Sequence, residues 1–242
     1  MTKNNSQLIH CITNPISINQ CANLVLALGA KPIMAEHPRE VREITATADA
    51  LLVNLGNITD ARMKSIKISV KEANKTGIPI VLDAVGVACS RLRRKFAMKL
   101  LDRFSFTLIK GNYSEIVALA ENGYTAKGVD GDNALSSDTV DISAKKLSVK
   151  YKCIILASGE TDIIADGKRT THIHGGTVQL SRVTGTGCML GTVCSCYLAK
   201  QAETSSVISA CDFFKKCGKA SETTAGNGSF MTNLINNLGG VL

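Results

Sequence analysis

Tryptophan is absent from the 242 residues, proline occurs four times, and aromatic residues make up only 4%. No apolar run approaches the roughly 18 residues of a membrane span, so no membrane partner is expected. No CxxC pair occurs, and the closest cysteines are Cys194 and Cys196. Zinc ribbons and thioredoxin-type sites need CxxC-like spacing, so both are excluded. Nine cysteines are an odd number, which rules out a fully paired disulfide framework within one chain. The opening segment MTKNNSQLIHCITN has no apolar h-region, so no secretory signal is expected. Free thiols in apolar runs such as TVCSCYLA behave as small hydrophobes and suit a reducing cytoplasm.

The chain is 45% hydrophobic and 20% charged, with 20 glycines. Those values exclude disorder and predict one packed globular domain over residues 1–242. The formal net charge is +8, and residues 51–100 alone hold ten Lys and Arg against three Asp and Glu. Lys64, Lys67, Lys71 and Lys75 draw one stripe on a helix whose apolar face is Met63, Ile66 and Val70. Arg91, Arg93, Arg94 and Lys95 form the second basic group. No aromatics interleave either group, as single-strand binding would want, so solvated helix faces are expected and a nucleic-acid partner is not.

Apolar runs alternate with helical patterns. Strands are predicted at Lys31–Met34, Ala50–Asn54, Ile78–Leu82, Phe106–Ile109, Cys153–Ala157, Asp162–Ala165 and Arg169–His174. Helices are predicted at Ser17–Leu28, Pro38–Ala48, Asp60–Thr76, Arg91–Leu101, Tyr113–Glu121, Asp138–Tyr151, Cys188–Lys200, Thr204–Lys219 and Ser229–Leu238. The strands ALLVN, IPIVL, FTLI and CIILA are continuously apolar, as in a parallel sheet covered on both faces. The expected fold is therefore α/β, a mostly parallel central sheet with helices on both faces. The turn at Asp166-Gly167 adds a small antiparallel edge.

Ligands of open α/β sheets bind beyond the carboxyl ends of the strands. Four predicted strands place a polar residue and a nearby glycine there: Asn54 with Gly56, Asp83 with Gly86, Lys110 with Gly111, and Ser158 with Gly159. Together they favour a polar small-molecule site. Asp83 closes a buried strand, and Glu115 lies on a first helical turn. A first-turn acid is favoured by the helix dipole alone, and equally suits Mg2+, which takes one or two carboxylates with phosphate oxygens and water.

The sharpest local feature is Val183-Thr-Gly185-Thr186-Gly187-Cys188. Two glycines lead into an apolar helix, where unpaired backbone N–H groups form an anion site. The run is neither a Walker A loop nor a dinucleotide fingerprint. Cys188 stands on the first turn, a placement that favours thiolate. The other eight cysteines are expected to be packing residues.

These residues resemble hydroxyethylthiazole kinases, thiamine-salvage enzymes of the ribokinase-like superfamily. The resemblance runs from His10 to about Leu238. It is carried by His10-Cys-Ile-Thr-Asn14, Ala27-Leu-Gly-Ala-Lys-Pro-Ile-Met-Ala35, Val53-Asn-Leu-Gly56, Val81-Leu-Asp-Ala-Val-Gly86, Lys110-Gly-Asn-Tyr-Ser-Glu115, Ser158-Gly-Glu-Thr-Asp162, Val183-Thr-Gly-Thr-Gly-Cys188 and Gly228-Ser-Phe230. It implies ATP- and Mg2+-dependent phosphorylation of the primary hydroxyl of 4-methyl-5-(2-hydroxyethyl)thiazole. It also implies a homotrimer with active sites between subunits. Cys188 would be the catalytic base, with Gly185, Thr186 and Gly187 as the anion hole. Asn14, Met34 and Gly185 would meet the thiazole, Lys110 and Ser158 the ATP, and Asp83 and Glu115 the magnesium region. Three positions depart from the family pattern: Lys110 for Arg, which keeps charge but loses the bidentate fork, Ser158 for Thr, and Ala84 for Pro. Phosphorylation of another small alcohol, such as a hydroxymethylpyrimidine, and ligand binding without catalysis are the alternatives.

Overall fold

A computed structural model describes residues 6–121, 123–124 and 135–240. Eight strands form one sheet: β1 (Leu8–Ile12), β2 (Lys31–Ile33), β3 (Ala50–Asn54), β4 (Ile80–Asp83), β5 (Leu108–Asn112), β6 (Ile154–Ser158), β7 (Asp162–Ala165) and β8 (Thr170–Ile173). Their order is β2-β1-β3-β4-β5-β6-β7-β8. Pairings from β2 through β6 are parallel, and β7 and β8 add the antiparallel edge. The expected fold class is therefore observed. Among the described residues, no helix is long and apolar enough to cross a membrane.

Period-two alternation splits the central strands between two cores. Leu51, Val53 and Leu82 face a cluster with α2 (Val41–Ala46), α3 (Asp60–Thr76), α4 (Arg91–Leu101), α5 (Tyr113–Ala120) and α6 (Ser137–Tyr151). Ala50, Leu52, Val81 and Leu108 face the other cluster. It is built from α1 (Ile18–Ala27), α8 (Thr186–Lys200), α9 (Thr204–Ala220) and α10 (Asn227–Gly239). A one-turn helix, α7 (Gln179–Arg182), leads into α8.

Several boundaries differ from the sequence expectation, each for a physical reason. β1 is a strand beyond those predicted, since its run LIHCI carries a histidine at its centre. His10 is fully buried, with Nδ1 2.9 Å from Thr45 Oγ1 and Nε2 2.9 Å from the Ala35 carbonyl. Those contacts satisfy the ring where periodicity alone reads an interruption, and burial lowers its pKa. β5 runs on to Asn112, so Lys110 lies inside the strand rather than after it. α8 begins at Thr186, two residues before the expected start, and α7 was not anticipated. The helix expected over Pro38–Ala48 shortens to Val41–Ala46.

The basic groups divide. Lys64, Lys67, Lys71 and Lys75 are exposed, as expected of a solvated face. Arg62, two residues earlier, is instead buried. Arg94 donates to the carbonyls of Tyr124 and Glu121, and Arg93 to that of Val85, so both arginines hold local backbone. Cys89 corrects the expectation of eight packing cysteines, since its thiol is exposed, while the remaining seven besides Cys188 are buried.

Leu52 is fully buried under α8, with Cδ1 3.6 Å from where a Cβ on Gly191 would stand. Leu52→Ala should lower unfolding free energy by about 2–5 kcal/mol in urea titrations, the cost of an unfilled core site.

Candidate active site

The site is laid out by sheet register. Asn54 pairs with Asp83 across β3 and β4, and Asp83 pairs with Lys110 across β4 and β5. These three residues therefore form one lateral row on three adjacent central strands. Counting by twos from Ala50 and Leu52, Val81 and Leu108 places the row on the face covered by α8. All three are buried, at 1%, 0% and 3% exposure. Few apolar sheets tolerate such a row, and this one is internally paired.

Lys110 Nζ lies 3.1 Å from Asp83 Oδ1, and Asn54 Nδ2 donates to Asp83 Oδ2 at 2.8 Å. Both carboxylate oxygens thus face a donor, which is what a buried carboxylate needs to stay charged. Burial pushes the Asp83 pKa up, with Lys110 and Asn54 pulling it back. Burial alone would lower the Lys110 pKa, but Asp83, followed by Cys188 and Glu115, raises it above that of a free lysine. The two directions compete for one proton. With donors on both Asp83 oxygens, we read the pair as ionised.

α8 descends onto this row. Its N-cap is Gly185 at φ 95°, with no side-chain cap hydrogen bond. A Cβ there would be strained by that φ and would stand 3.2 Å from Ser17 Cβ. The amides of Thr186, Gly187 and Cys188 precede the first intrahelical bond, from Met189 N to Gly185 O at 2.9 Å. Thr186 spends its hydroxyl on the carbonyls of Leu180 and Val183, at 2.5 and 3.0 Å, which anchors the turn into the helix. A Cβ on Gly187 would stand 3.5 Å from Lys110 Nζ. The helix start therefore meets the ammonium group, and both favour an anion.

Cys188 sits partly exposed at this junction. Its Sγ lies 3.2 Å from Asn14 Nδ2 and 3.3 Å from Asn54 Nδ2. The sequence-predicted Asn14, Asp83, Lys110, Cys188 and the Gly185–Gly187 turn thus converge. Met34 follows β2 and packs against the core on the same face of the sheet. Ser158 ends β6 and donates to the Gly111 carbonyl at 3.2 Å, two strands from Asp83.

Glu115 has a different local role. Its Oε2 accepts from Asn112 N at 2.8 Å in a capping box, and its Oε1 accepts from Gly86 N at 2.7 Å. It thereby clamps the loop after β4 to the start of α5. Burial raises its pKa to about 7, against the pull of Lys110 and the two amides. Among the described residues, no three His, Cys, Asp or Glu gather into a ready metal cage. Asp83 and Glu115 keep spare lone pairs but have both oxygens engaged. They fit Mg2+ held mostly by phosphate and water better than direct chelation.

Two positioning residues escaped the sequence reading. Arg62 donates to the Thr13 carbonyl at 2.5 Å, to Asn57 O at 3.0 Å and to Glu36 Oε2 at 2.7 Å. It ties together the loops after β1, β2 and β3. Lys215 donates to the carbonyls of Gly159 and Glu160, at 3.1 and 2.9 Å, and lies 3.6 Å from Asp162 Oδ1. Helical spacing is the one signal for either: Arg62 shares the buried face of Ile66, Ser69 and Ala73, and Lys215 that of Cys211, Phe214 and Gly218.

Glu115 also makes a pH prediction. Its pKa stands near 7 folded and near 4.5 ordinarily, so between these values the folded state binds more protons. Stability held below pH 4.5 should therefore fall as pH rises through 7, by on the order of 3 kcal/mol from this group. Urea unfolding across pH 4–8 should show that slope in the wild type and its loss in Glu115→Gln. An unchanged slope would refute it.

Known proteins similar to this chain over most of its length point to one family. A protein named hydroxyethylthiazole kinase 2 from Clostridium botulinum (strain Hall) is 44% identical over 236 residues, 96% of this chain and 89% of the relative. A hydroxyethylthiazole kinase from Finegoldia magna is 47% identical over 196 residues, 81% of this chain and 72% of its own. The solved structure of hydroxyethylthiazole kinase protein from Pyrococcus horikoshii OT3 matches with TM-score 0.87 at 31% identity, over 97% of this chain and 88% of that one. Bacillus subtilis pyridoxal kinase, solved as an ADP complex, shares the fold at TM-score 0.67 and 17% identity, over 92% and 95% of the two chains. The profile of the hydroxyethylthiazole kinase family matches residues 1–242, and the chain belongs to that family.

Proposed function

We propose that this chain, as one kinase domain over residues 1–242, transfers the γ-phosphoryl group of ATP to the primary hydroxyl of 4-methyl-5-(2-hydroxyethyl)thiazole. The observation that carries this reading is the place of Cys188. Its sulfur stands at an uncapped helix start, between two asparagine donors and beside a buried ammonium group. Family membership supports the alcohol acceptor.

The parts take complementary roles. Asn14, Met34 and Gly185 hold the thiazole on the β1–β2 side, and Lys110 and Ser158 hold the nucleotide on the β5–β6 side. The hydroxyl oxygen attacks the γ-phosphorus in line, the new O–P bond forms, and the P–O bond to ADP breaks. Cys188 takes the hydroxyl proton. The amides of Gly185, Thr186 and Gly187 stabilise charge on the moving phosphoryl group. Magnesium, when bound with nucleotide, neutralises phosphate charge, and Asp83 and Glu115 would hold its water shell. Lys110 provides a point charge without the fork of arginine, so nucleotide binding rests more on charge than on bidentate geometry.

The working form is proposed to be a cytoplasmic homotrimer with sites between neighbouring subunits. Ile16, 55% exposed and two residues from Asn14, suits burial against a second subunit there. Nine free thiols suit a reducing compartment.

ADP release with a panel of thiazole and pyrimidine alcohols tests the substrate. Turnover is expected with the hydroxyethylthiazole, and turnover of a pyrimidine alcohol alone would overturn the assignment. Cys188→Ala should lower kcat about a hundredfold while leaving measurable turnover, because positioning does most of the work. Asp83→Ala should cost more, and wild-type-like turnover in that variant would remove Asp83 from the site.

A further inference from the structure

We propose that Asn54 is a positioning residue for phosphoryl transfer, its side-chain amide tying the Cys188 sulfur to the Asp83–Lys110 pair. The proposal rests on the kinase reading above. Asn54 is 1% exposed, so it acts through its neighbours and not on the alcohol.

The orientation of its amide is set by geometry. Oδ1 accepts from Gly56 N at 2.8 Å and from Asn14 Nδ2 at 3.2 Å. A backbone N–H can only donate, so the oxygen must face Gly56 and the NH2 must face the other way. There it has two hydrogens and two acceptors: Asp83 Oδ2 at 2.8 Å and Cys188 Sγ at 3.3 Å. Asn14 is set the same way. Its Oδ1 accepts from Ile16 N at 3.1 Å and Ser17 Oγ at 3.4 Å, and its NH2 faces Sγ at 3.2 Å.

The sulfur therefore meets two groups that can only donate to it. The two N–H groups occupy lone pairs on the inner side of Sγ, so the lone pair that is to take the hydroxyl proton faces the open side, where the alcohol is proposed to sit. Sγ is at once held in place and turned toward the hydroxyl. Asn54 also fixes Asp83 Oδ2, leaving Oδ1 for Lys110, so one side chain ties the carboxylate–ammonium pair of the row to the sulfur on α8 above it. Gly56 limits the loop beneath, because a Cβ there would stand 2.9 Å from both Asn14 Nδ2 and Asn54 Oδ1.

The test combines kinetics with spectroscopy. Asn54→Ala should lower kcat on the order of a hundredfold, with KM for the alcohol within about twofold. Its effect should shrink to under about tenfold in the Cys188→Ala background, because the part that acts through the sulfur is already lost and only the hold on Asp83 remains. Asn54→Asp keeps the shape and the acceptor for Gly56 N; its one possible donor, a carboxyl proton, is shared with Asp83, so the sulfur loses its N–H and the same loss of kcat is expected. Circular dichroism and thermal midpoints establish that each variant is folded. Additive losses in the double variant, or a wild-type kcat in folded Asn54→Asp, would overturn the proposal. A readout needing no Asn54 variant is the side-chain amide NMR signal of Asn54 in Cys188→Ala. It should move from its wild-type position, and an unmoved signal would overturn the proposal even if no Asn54 variant folds. Absence of wild-type turnover would instead fail the kinase reading, while the NMR arm still reports on the network.

Discussion

The buried ion pair between Asp83 and Lys110 is the constraint around which the rest of this structure is arranged. Two charges at 0% and 3% exposure carry a desolvation cost that their mutual attraction alone rarely offsets. Here the second carboxylate oxygen is met by Asn54, while the start of α8, positive like the ammonium group it faces, leaves both turned toward an anion. The pair exists because two parallel strands place Asp83 and Lys110 opposite each other, so the register of β4 and β5 is part of the chemistry. A slip of one residue in either strand would turn its charge into the other apolar core and part the pair.

Around this pair, polar side chains hold backbone. Glu115 grips Gly86 and Asn112, Arg62 gathers the loops after β1 and β3, and Lys215 secures the loop after β6. Loops at the carboxyl edge of a parallel sheet have no ladder to fix them, so charged side chains reaching back from helices supply that rigidity. Glycines matter where the helix must come close. Gly187 and Gly191 bring α8 down to Lys110 and Asp83, with 3.5 and 3.4 Å left where a Cβ would stand. The same contacts that keep the fold together leave the Cys188 side chain partly exposed above the row.

Much of this was readable in one dimension. Continuous apolar runs announce a covered parallel sheet, and polar residues ending those runs line up along its carboxyl edge. Gly185-Thr186-Gly187-Cys188 announced an uncapped helix start. Less legible were residues whose environment contradicts their type. The strand Leu8–Ile12 was hidden by His10, whose burial depends on Thr45 and Ala35 from distant segments. Arg62 was hidden inside a basic surplus, although its helical spacing put it with the apolar face. Glu115 carried two readings in sequence, dipole partner and metal-site acid, and its capping box shows that the first is met in full.

The amino-acid sequence by itself determined the class of fold, the polar strand ends and the presence of a cysteine at a helix start, because these follow from local periodicity and backbone chemistry. Only the tertiary structure decided what those groups do to one another. Asn14 and Cys188 lie 174 positions apart and Asn54 and Cys188 134 apart, yet their atoms meet within 3.3 Å. No local pattern encodes such a meeting. It arises because strand register puts Asn54, Asp83 and Lys110 in one row, and because two helix glycines let α8 settle on top of it.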